Sequence, residues 1–116
     1  MTIDINEITT NFSIRELKVF DASPEVTNVV GKVSWQCNMN YKDISILTGG
    51  ESFLEYNRDQ PFVPISQLTQ QQIMAWVIKT EGGEEFLKQY KEIHADTLEF
   101  LYKEKNMRVW EQPIPQ

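Results

Sequence analysis

Apolar and polar residues alternate along most of the segment Val29–Tyr41, which is the most informative pattern in this chain. From Lys32 onward the polar residues occupy the even positions, while apolar residues fill the odd positions between them. Successive side chains of a β-strand point to opposite faces of its sheet, so a period of two predicts a strand with one buried face. The first half of the chain is therefore expected to form a β-sheet.

Two further strands are predicted, one on each side of this alternating segment. Residues 13–21 have strand composition and end in a turn that contains Asp, Ser and Pro. Residues 40–43, Asn-Tyr-Lys-Asp, indicate a hairpin connection into a strand at residues 44–48. These strands would neighbour each other in an antiparallel sheet.

Two features leave the number of strands open. Gly49 and Gly50 are expected to interrupt the third strand, as a bulge or a bend, before an apolar segment at residues 53–56. The first dozen residues contain three isoleucines and are compatible with a weak edge strand. The prediction for residues 1–56 is thus a three- to four-stranded antiparallel β-meander.

Residues 57–68 form a proline-containing connector, after which the pattern changes from strand to helix. Thr69 and Gln72 have the spacing of a capping box, in which each side chain bonds the other residue's backbone N–H. A helix is therefore predicted to start at Thr69. Three of its residues are expected to face the core: Ile73, Trp76 and Val77.

A second helix is predicted from about Glu84, because Gly82 and Gly83 end the first one and complete a helical hairpin at residues 69–105. Its apolar or weakly polar positions are Phe86, Leu87, Tyr90, Ile93, His94, Thr97, Leu98, Phe100, Leu101 and Tyr102. One core-facing side does not need so wide a stripe. Part of it, including Phe100 and Tyr102, is therefore predicted to contact another protein chain.

The last segment, residues 106–116, contains two prolines and shows no periodicity, so it is predicted to be an extended arm.

Two of the tryptophans have different expected environments. Trp35 falls on the apolar side of a strand and is expected in the core. Trp110 lies outside any periodic element, where an aromatic residue more often anchors a contact between chains. Trp110, Val109 and Ile114 are therefore predicted to bind another protein.

Composition narrows the classes of partner. The chain has 17 acidic and 11 basic residues, for a net charge of -6, which argues against nucleic acid, since binding to phosphates relies on clustered Lys and Arg. No apolar run approaches the roughly 20 residues of a membrane-spanning helix, and no export signal is recognised at the N-terminus. The one cysteine cannot form an intramolecular disulfide.

Catalytic and metal-binding residues are few. His94 is the only histidine and Cys37 the only cysteine, too few ligands of these types for a zinc site. His94 is expected to pack on a helix or interface, and Cys37 to be a small buried hydrophobe. The carboxylates suit a solvated helix face, and Glu99 precedes Lys103 by the helix-stabilising spacing. No catalytic residue, cofactor, metal or small-molecule substrate is therefore predicted.

The order of several motifs resembles a family of small proteins encoded by tailed bacteriophages, notably marine and cyanobacterial ones. These motifs are Val33-Ser34-Trp35, Phe62-Val63-Pro64, Leu68-Thr69, Gln72 and Trp76-Val77. In that family a V-x-W strand leads through an F-x-P connector into an L-T-x-x-Q-x-x-x-W-V helix, and a second helix and a proline-rich C-terminus follow. The resemblance implies a phage accessory or virion-associated protein and transfers no catalytic residue.

The first hypothesis is a non-enzymatic structural protein of the virion, made in the host cytoplasm. Its partners would be major capsid, neck or tail proteins, and itself in a homo-oligomer. The alternative is an intracellular phage accessory protein that binds and modulates a host protein. A third hypothesis, a hydrolase that uses Cys37, His94 or paired carboxylates, requires the fold to bring such groups together in a pocket.

Overall fold

The computed structural model describes residues 3–56 and 63–115. Its elements are a 3-10 helix at Ile5–Glu7, strands β1 (Thr9–Phe20), β2 (Val29–Tyr41) and β3 (Ile44–Phe53), a 3-10 helix at Ile65–Gln67, and helices α1 (Gln70–Glu81) and α2 (Glu84–Lys105). The predicted α+β class, an antiparallel sheet followed by two helices, is confirmed. Residues 57–62 of the predicted connector lie outside the described residues.

The sheet is antiparallel and has the order β1-β2-β3, so β2 is central. Phe12 of β1 lies opposite Cys37, and Gly50 of β3 lies opposite Trp35. The register between β1 and β2 shifts twice, between Ile14 and Glu16 and again after Lys18. Such bulges increase the local twist of a strand; the extra residue is Arg15 of β1 in the first and Gly31 of β2 in the second, and neither was predicted.

The N-terminal residues differ from the sequence-based prediction. β1 begins at Thr9, so it includes residues that were assigned to a separate weak edge strand. Residues Ile5–Glu7 form a 3-10 helix instead, and the Asp4 carboxylate accepts a hydrogen bond from the Asn6 N–H at 2.9 Å. The described part of the sheet therefore has three strands, because a local cap at Asp4 stabilises a turn where a fourth strand was considered.

Gly49 and Gly50 do not interrupt β3, which corrects the prediction of a bulge or bend. Both glycines pair in regular register with Gln36 and Trp35 of β2. A Cβ atom at Gly50 would lie 2.5 Å from Cζ2 of the Trp35 ring. Position 50 needs a glycine because the Trp35 indole ring covers β3 at this point. The two residues lie on different strands, so the local sequence around Gly50 does not show this contact.

The core lies between one face of the sheet and the two helices. The odd-numbered residues of β2 from Val33 to Tyr41 are all buried, which confirms the predicted alternation. The helices contribute the remaining large part of this core: Ile73, Met74 and Val77 from α1, and Tyr90, Ala95 and Leu98 from α2. Both helices therefore cover the same face of the sheet.

The predicted start of α1 is confirmed, including its capping box. The Thr69 hydroxyl accepts a hydrogen bond from the Gln72 N–H at 3.1 Å, and the Gln72 side-chain oxygen accepts one from the Thr69 N–H at 2.9 Å. Trp76, predicted to face the core, is instead 42% exposed. Residues two positions apart in a helix differ by about 200° around its axis, so burial of Met74 turns Trp76 away from the sheet.

Gly82 and Gly83 form the tight turn between the helices, as predicted. Both have positive φ angles, 129° and 68°, which favour glycine. The Gly83 N–H donates to the carbonyl of Ile78 at 2.8 Å, and α2 then begins at Glu84. This turn directs α2 back along the sheet towards the hairpin between β2 and β3.

Candidate interaction surface

The end of α2 is fixed to the turn between β2 and β3. The rings of Tyr41 and Tyr102 meet edge to face at 5.6 Å, and the Lys42 ammonium lies 4.8 Å from the Tyr102 ring centroid. Lys105 forms a 2.7 Å ion pair with Asp43 and lowers the pKa of that carboxyl group. The direction in which the chain leaves the helix is therefore set by these contacts.

Tyr102 was predicted to contact another chain, and the structure places it in this anchor. Its ring is half-buried and packs against its own hairpin. Its role towards a partner stays a prediction.

The described part of the predicted C-terminal arm, residues 106–115, extends beyond this anchor. Every residue from 107 to 115 is exposed, and none belongs to a helix or strand. Four of its apolar residues are largely open to solvent: Met107 (70%), Val109 (83%), Trp110 (60%) and Ile114 (82%). The molecule measures 72 × 26 × 23 Å, an elongated shape that agrees with an arm projecting from the folded part.

A local hydrogen bond shapes the arm. The Trp110 indole N–H donates to the carbonyl oxygen of Pro113 at 3.3 Å. The polar group of the indole is thus satisfied within the arm, while much of its apolar ring faces solvent. Trp110 therefore presents apolar surface to solvent, and its role in binding another protein stays a prediction.

The outer side of α2 adds a second apolar patch, here called the ridge, which consists of Ile93 and Phe100. These side chains are 70% and 66% exposed. They lie seven positions apart, nearly two helical turns, so they share one side of the helix. Phe100 was predicted to lie in a contact surface. Ile93 was not singled out, although its spacing from Phe100 is visible in the sequence.

A groove runs between β1 and α1. It is lined by Asn11, Phe12, Ser13, Thr69, Gln70, Gln71, Met74, Ala75 and Ile78. The Gln70 side-chain oxygen accepts a hydrogen bond from the Ile14 N–H at 2.7 Å, which ties the start of α1 to the outer edge of β1. The sequence gives no local signal for this groove, because its two walls are far apart along the chain.

Cys37 and His94 have the surroundings of packing residues. Cys37 is fully buried, and burial raises the pKa of its thiol, which disfavours the reactive thiolate. Its polar neighbours are the Asn11 backbone and the Thr48 side chain. The half-buried His94 ring packs edge to face on Tyr90 at 4.8 Å, and burial lowers its pKa.

Thr48 and Tyr90 connect the sheet to α2 through hydroxyl groups. The Thr48 hydroxyl donates to the Cys37 carbonyl oxygen at 3.2 Å. The Tyr90 hydroxyl is hydrogen-bonded to the same Thr48 oxygen. Because Thr48 uses its only proton towards Cys37, Tyr90 is the donor in this second bond. These two hydrogen bonds join β2, β3 and α2. The hydroxyl groups of Thr48 and Tyr90 therefore have a structural role.

Five of the six carboxylates predicted to form a solvated helix face are exposed, but the Glu99 side chain is only 12% exposed and does not belong to that face. Lys103 lies 3.4 Å from Glu99, so the predicted pair at this spacing is confirmed. Among residues 3–56 and 63–115, no group of three or more His, Cys, Asp or Glu side chains is arranged to hold a metal ion. No helix in this described part is long and apolar enough to cross a membrane.

Comparisons with known proteins give one family. A family model described as "Domain of unknown function (DUF7936)" matches residues 7–113, nearly the whole chain. Neither the curated proteins nor the solved structures contain a match to this chain.

Proposed function

Since the chain belongs to the family of the domain of unknown function DUF7936, we propose its role from its own surface and sequence motifs. It is a non-enzymatic structural protein of a tailed bacteriophage virion, and it binds capsid, neck or tail proteins. The main support is the exposed apolar surface formed by the ridge and the arm. Extended exposed apolar surface is characteristic of protein-binding sites.

The residues of this surface have the composition of a binding site. Trp110 and Phe100 supply large aromatic groups, and such residues dominate the binding energy of many interfaces. Ile93, Val109 and Ile114 add aliphatic area that water solvates poorly. The anchor at Tyr102 and Asp43 holds the arm's origin in a fixed place relative to the ridge. The two patches can therefore act together on neighbouring proteins.

The phage setting rests on the order of the sequence motifs. Trp35 of the V-x-W motif forms the centre of the core, and the Thr69–Gln72 box starts α1. A virion offers many identical binding positions, so a small protein with modest individual contacts gains avidity there.

The chain's net charge of -6 favours one alternative, an intracellular phage protein that binds and modulates a host protein.

A binding experiment with phage particles tests the proposal. Particles that lack this protein are mixed with purified full-length protein and then sedimented. The wild-type protein should co-sediment, whereas the double variant Ile93→Ser/Phe100→Ser should bind at least about tenfold more weakly, because it removes the ridge. Gln89→Ser/Asp96→Ser, at exposed positions of the same helix, is the matched control and should bind like the wild type. Equal binding by the ridge variant would contradict the proposal.

A further inference from the structure

We propose that the arm of one copy of this protein occupies the groove between β1 and α1 of a second copy. The inference rests on the proposed function only in treating the arm as a contact segment, and it names that segment's partner. The ridge then remains free for capsid, neck or tail proteins.

The groove suits an extended apolar peptide. Phe12, Met74 and Ile78 give it an apolar floor, while Thr69 and Gln71 are exposed polar residues at its rim. β1 pairs with β2 along one edge, and the Ile14 N–H on the other edge points to Gln70. The Ile14 N–H is thus already bonded within the molecule, and an occupant would meet the apolar floor and the polar side chains at the rim of the groove.

The arm has matching chemistry. Pro113 and Pro115 favour an extended polyproline conformation, which loses little entropy on docking into an apolar groove. Ile114, between the two prolines, is 82% exposed. The bond from the Trp110 indole to Pro113 restricts the segment around the bend at Gln112, and residues 113–115 continue beyond it.

Charge also matches between the two surfaces. Charged residues make up 24% of the chain, yet none of the described residues that line the groove is charged. The side chains of residues 112–116 are uncharged as well, and the charged residues of the arm, Arg108 and Glu111, precede this stretch. Two copies with a net charge of -6 repel each other in general, and contact through uncharged surfaces avoids placing like charges together.

The geometry favours a second copy over the arm's own groove. Phe12 in the groove packs against Phe86 at the start of α2, whereas the arm leaves from the other end of that helix. α2 has 22 residues, so its ends lie about 33 Å apart. The arm continues outward from there with its apolar residues exposed. A neighbouring molecule can accept it without reversal of the chain.

Contact between an arm and a groove is head-to-tail, because the two surfaces differ. Such an interface produces a ring if its rotation closes and a chain of molecules if it does not. The proposal therefore predicts self-association of the purified protein without any other virion component.

A complementation experiment tests this arrangement. The arm variant is Trp110→Ala/Ile114→Ala, and the groove variant is Ala75→Glu, which places a charge at an exposed position of the uncharged groove. Thr80→Glu adds the same charge at an exposed α1 position outside the groove and is the control. Sedimentation velocity is measured for each purified full-length protein across a range of concentrations, and circular dichroism checks that each is folded.

The wild type and Thr80→Glu should associate as concentration rises, and each interface variant should associate at least about tenfold more weakly. An equimolar mixture of the two interface variants should form 1:1 pairs and stop there, since only one intact arm and one intact groove can meet. A wild-type protein that stays monomeric, or a mixture without pairs, would overturn the inference. Either result leaves particle binding through the ridge intact, so the two proposals fail separately.

Discussion

Trp35 and Gly50 face each other across β2 and β3, and the indole ring occupies the space in which a side chain at residue 50 would lie. The Trp35 indole N–H donates to the buried Ser52 hydroxyl at 3.0 Å, which fixes the ring over the strand. The ring also packs edge to face on Phe12, Phe86 and Tyr90. This contact therefore joins the sheet to α2 at the centre of the core.

Gly50→Ala should destabilise the protein by about 1–3 kcal/mol, the usual cost of overpacking a core. Its Cβ would lie 2.5 Å from the Trp35 ring. Gly49→Ala is the matched comparison, because its Cβ would meet only the Trp35 carbonyl oxygen at 3.1 Å. Urea unfolding of both variants measures the difference. A smaller loss for Gly50→Ala than for Gly49→Ala would show that the ring does not determine this position.

Tyr90→Phe should lower the free energy of unfolding by about 1 kcal/mol, the typical contribution of one hydrogen bond. The hydroxyl that it removes donates to Thr48 and links α2 to the sheet. In a Thr48→Val background the same substitution should cost less, because its partner oxygen is already absent. A double-mutant cycle measures this coupling. Strictly additive effects would mean that the hydroxyl contact contributes nothing to stability.

His94 should make stability depend on pH near neutrality. Burial lowers its pKa in the folded state below the ordinary value of 6.5. The unfolded chain therefore takes up a proton as the pH falls through about 6.5 while the folded state does not, so the free energy of unfolding decreases below that pH and is fully regained above it.

Unfolding of the wild type and His94→Gln, measured between about pH 5.5 and 7.5, checks this sign. Carboxylates titrate in both proteins, so their contribution is common to both curves. The wild type should lose more stability than the variant over this range. Parallel curves would show that His94 has the same pKa in the folded and unfolded states.

Removal of residues 106–116 should leave the thermal midpoint nearly unchanged while attachment to particles weakens, because copies that no longer associate through the arm lose avidity for the particle. Every residue from 107 to 115 is exposed, and surface changes of this kind usually alter stability by less than about 0.5 kcal/mol. Scanning calorimetry and co-sedimentation with particles measure the two effects. If the truncated protein unfolds, the arm belongs to the core, and its interface role would have to be abandoned.

Local sequence patterns predicted the elements whose causes are local. The alternation in β2, the capping box at Thr69 and the turn at Gly82 each depend on residues close together in the chain, and each was confirmed. Gly50 and Trp76 were misjudged because their environments come from distant segments. The indole of Trp35 explains the first, and the seating of α1 on the sheet explains the second.

The candidate surface also has one part that the local sequence predicted and one part that it did not. Trp110 and Ile114 were identified from the absence of periodicity, and both are exposed in the structure. The groove was not identified, because it forms only when α1 packs beside β1, as the contact between Ile14 and Gln70 shows across 56 positions. Sequence patterns identify an exposed segment more readily than a groove built from elements that are distant in the chain.

The most direct measurement is quantitative mass spectrometry of purified, salt-washed particles of the encoding phage, with the copy number of this chain compared with that of the major capsid protein. A virion structural protein should be recovered at a fixed ratio: tens to hundreds of copies would indicate the shell, and about a dozen or fewer the neck or tail. Absence from particles, together with abundance in infected cells, would contradict the virion role and support the host-binding alternative.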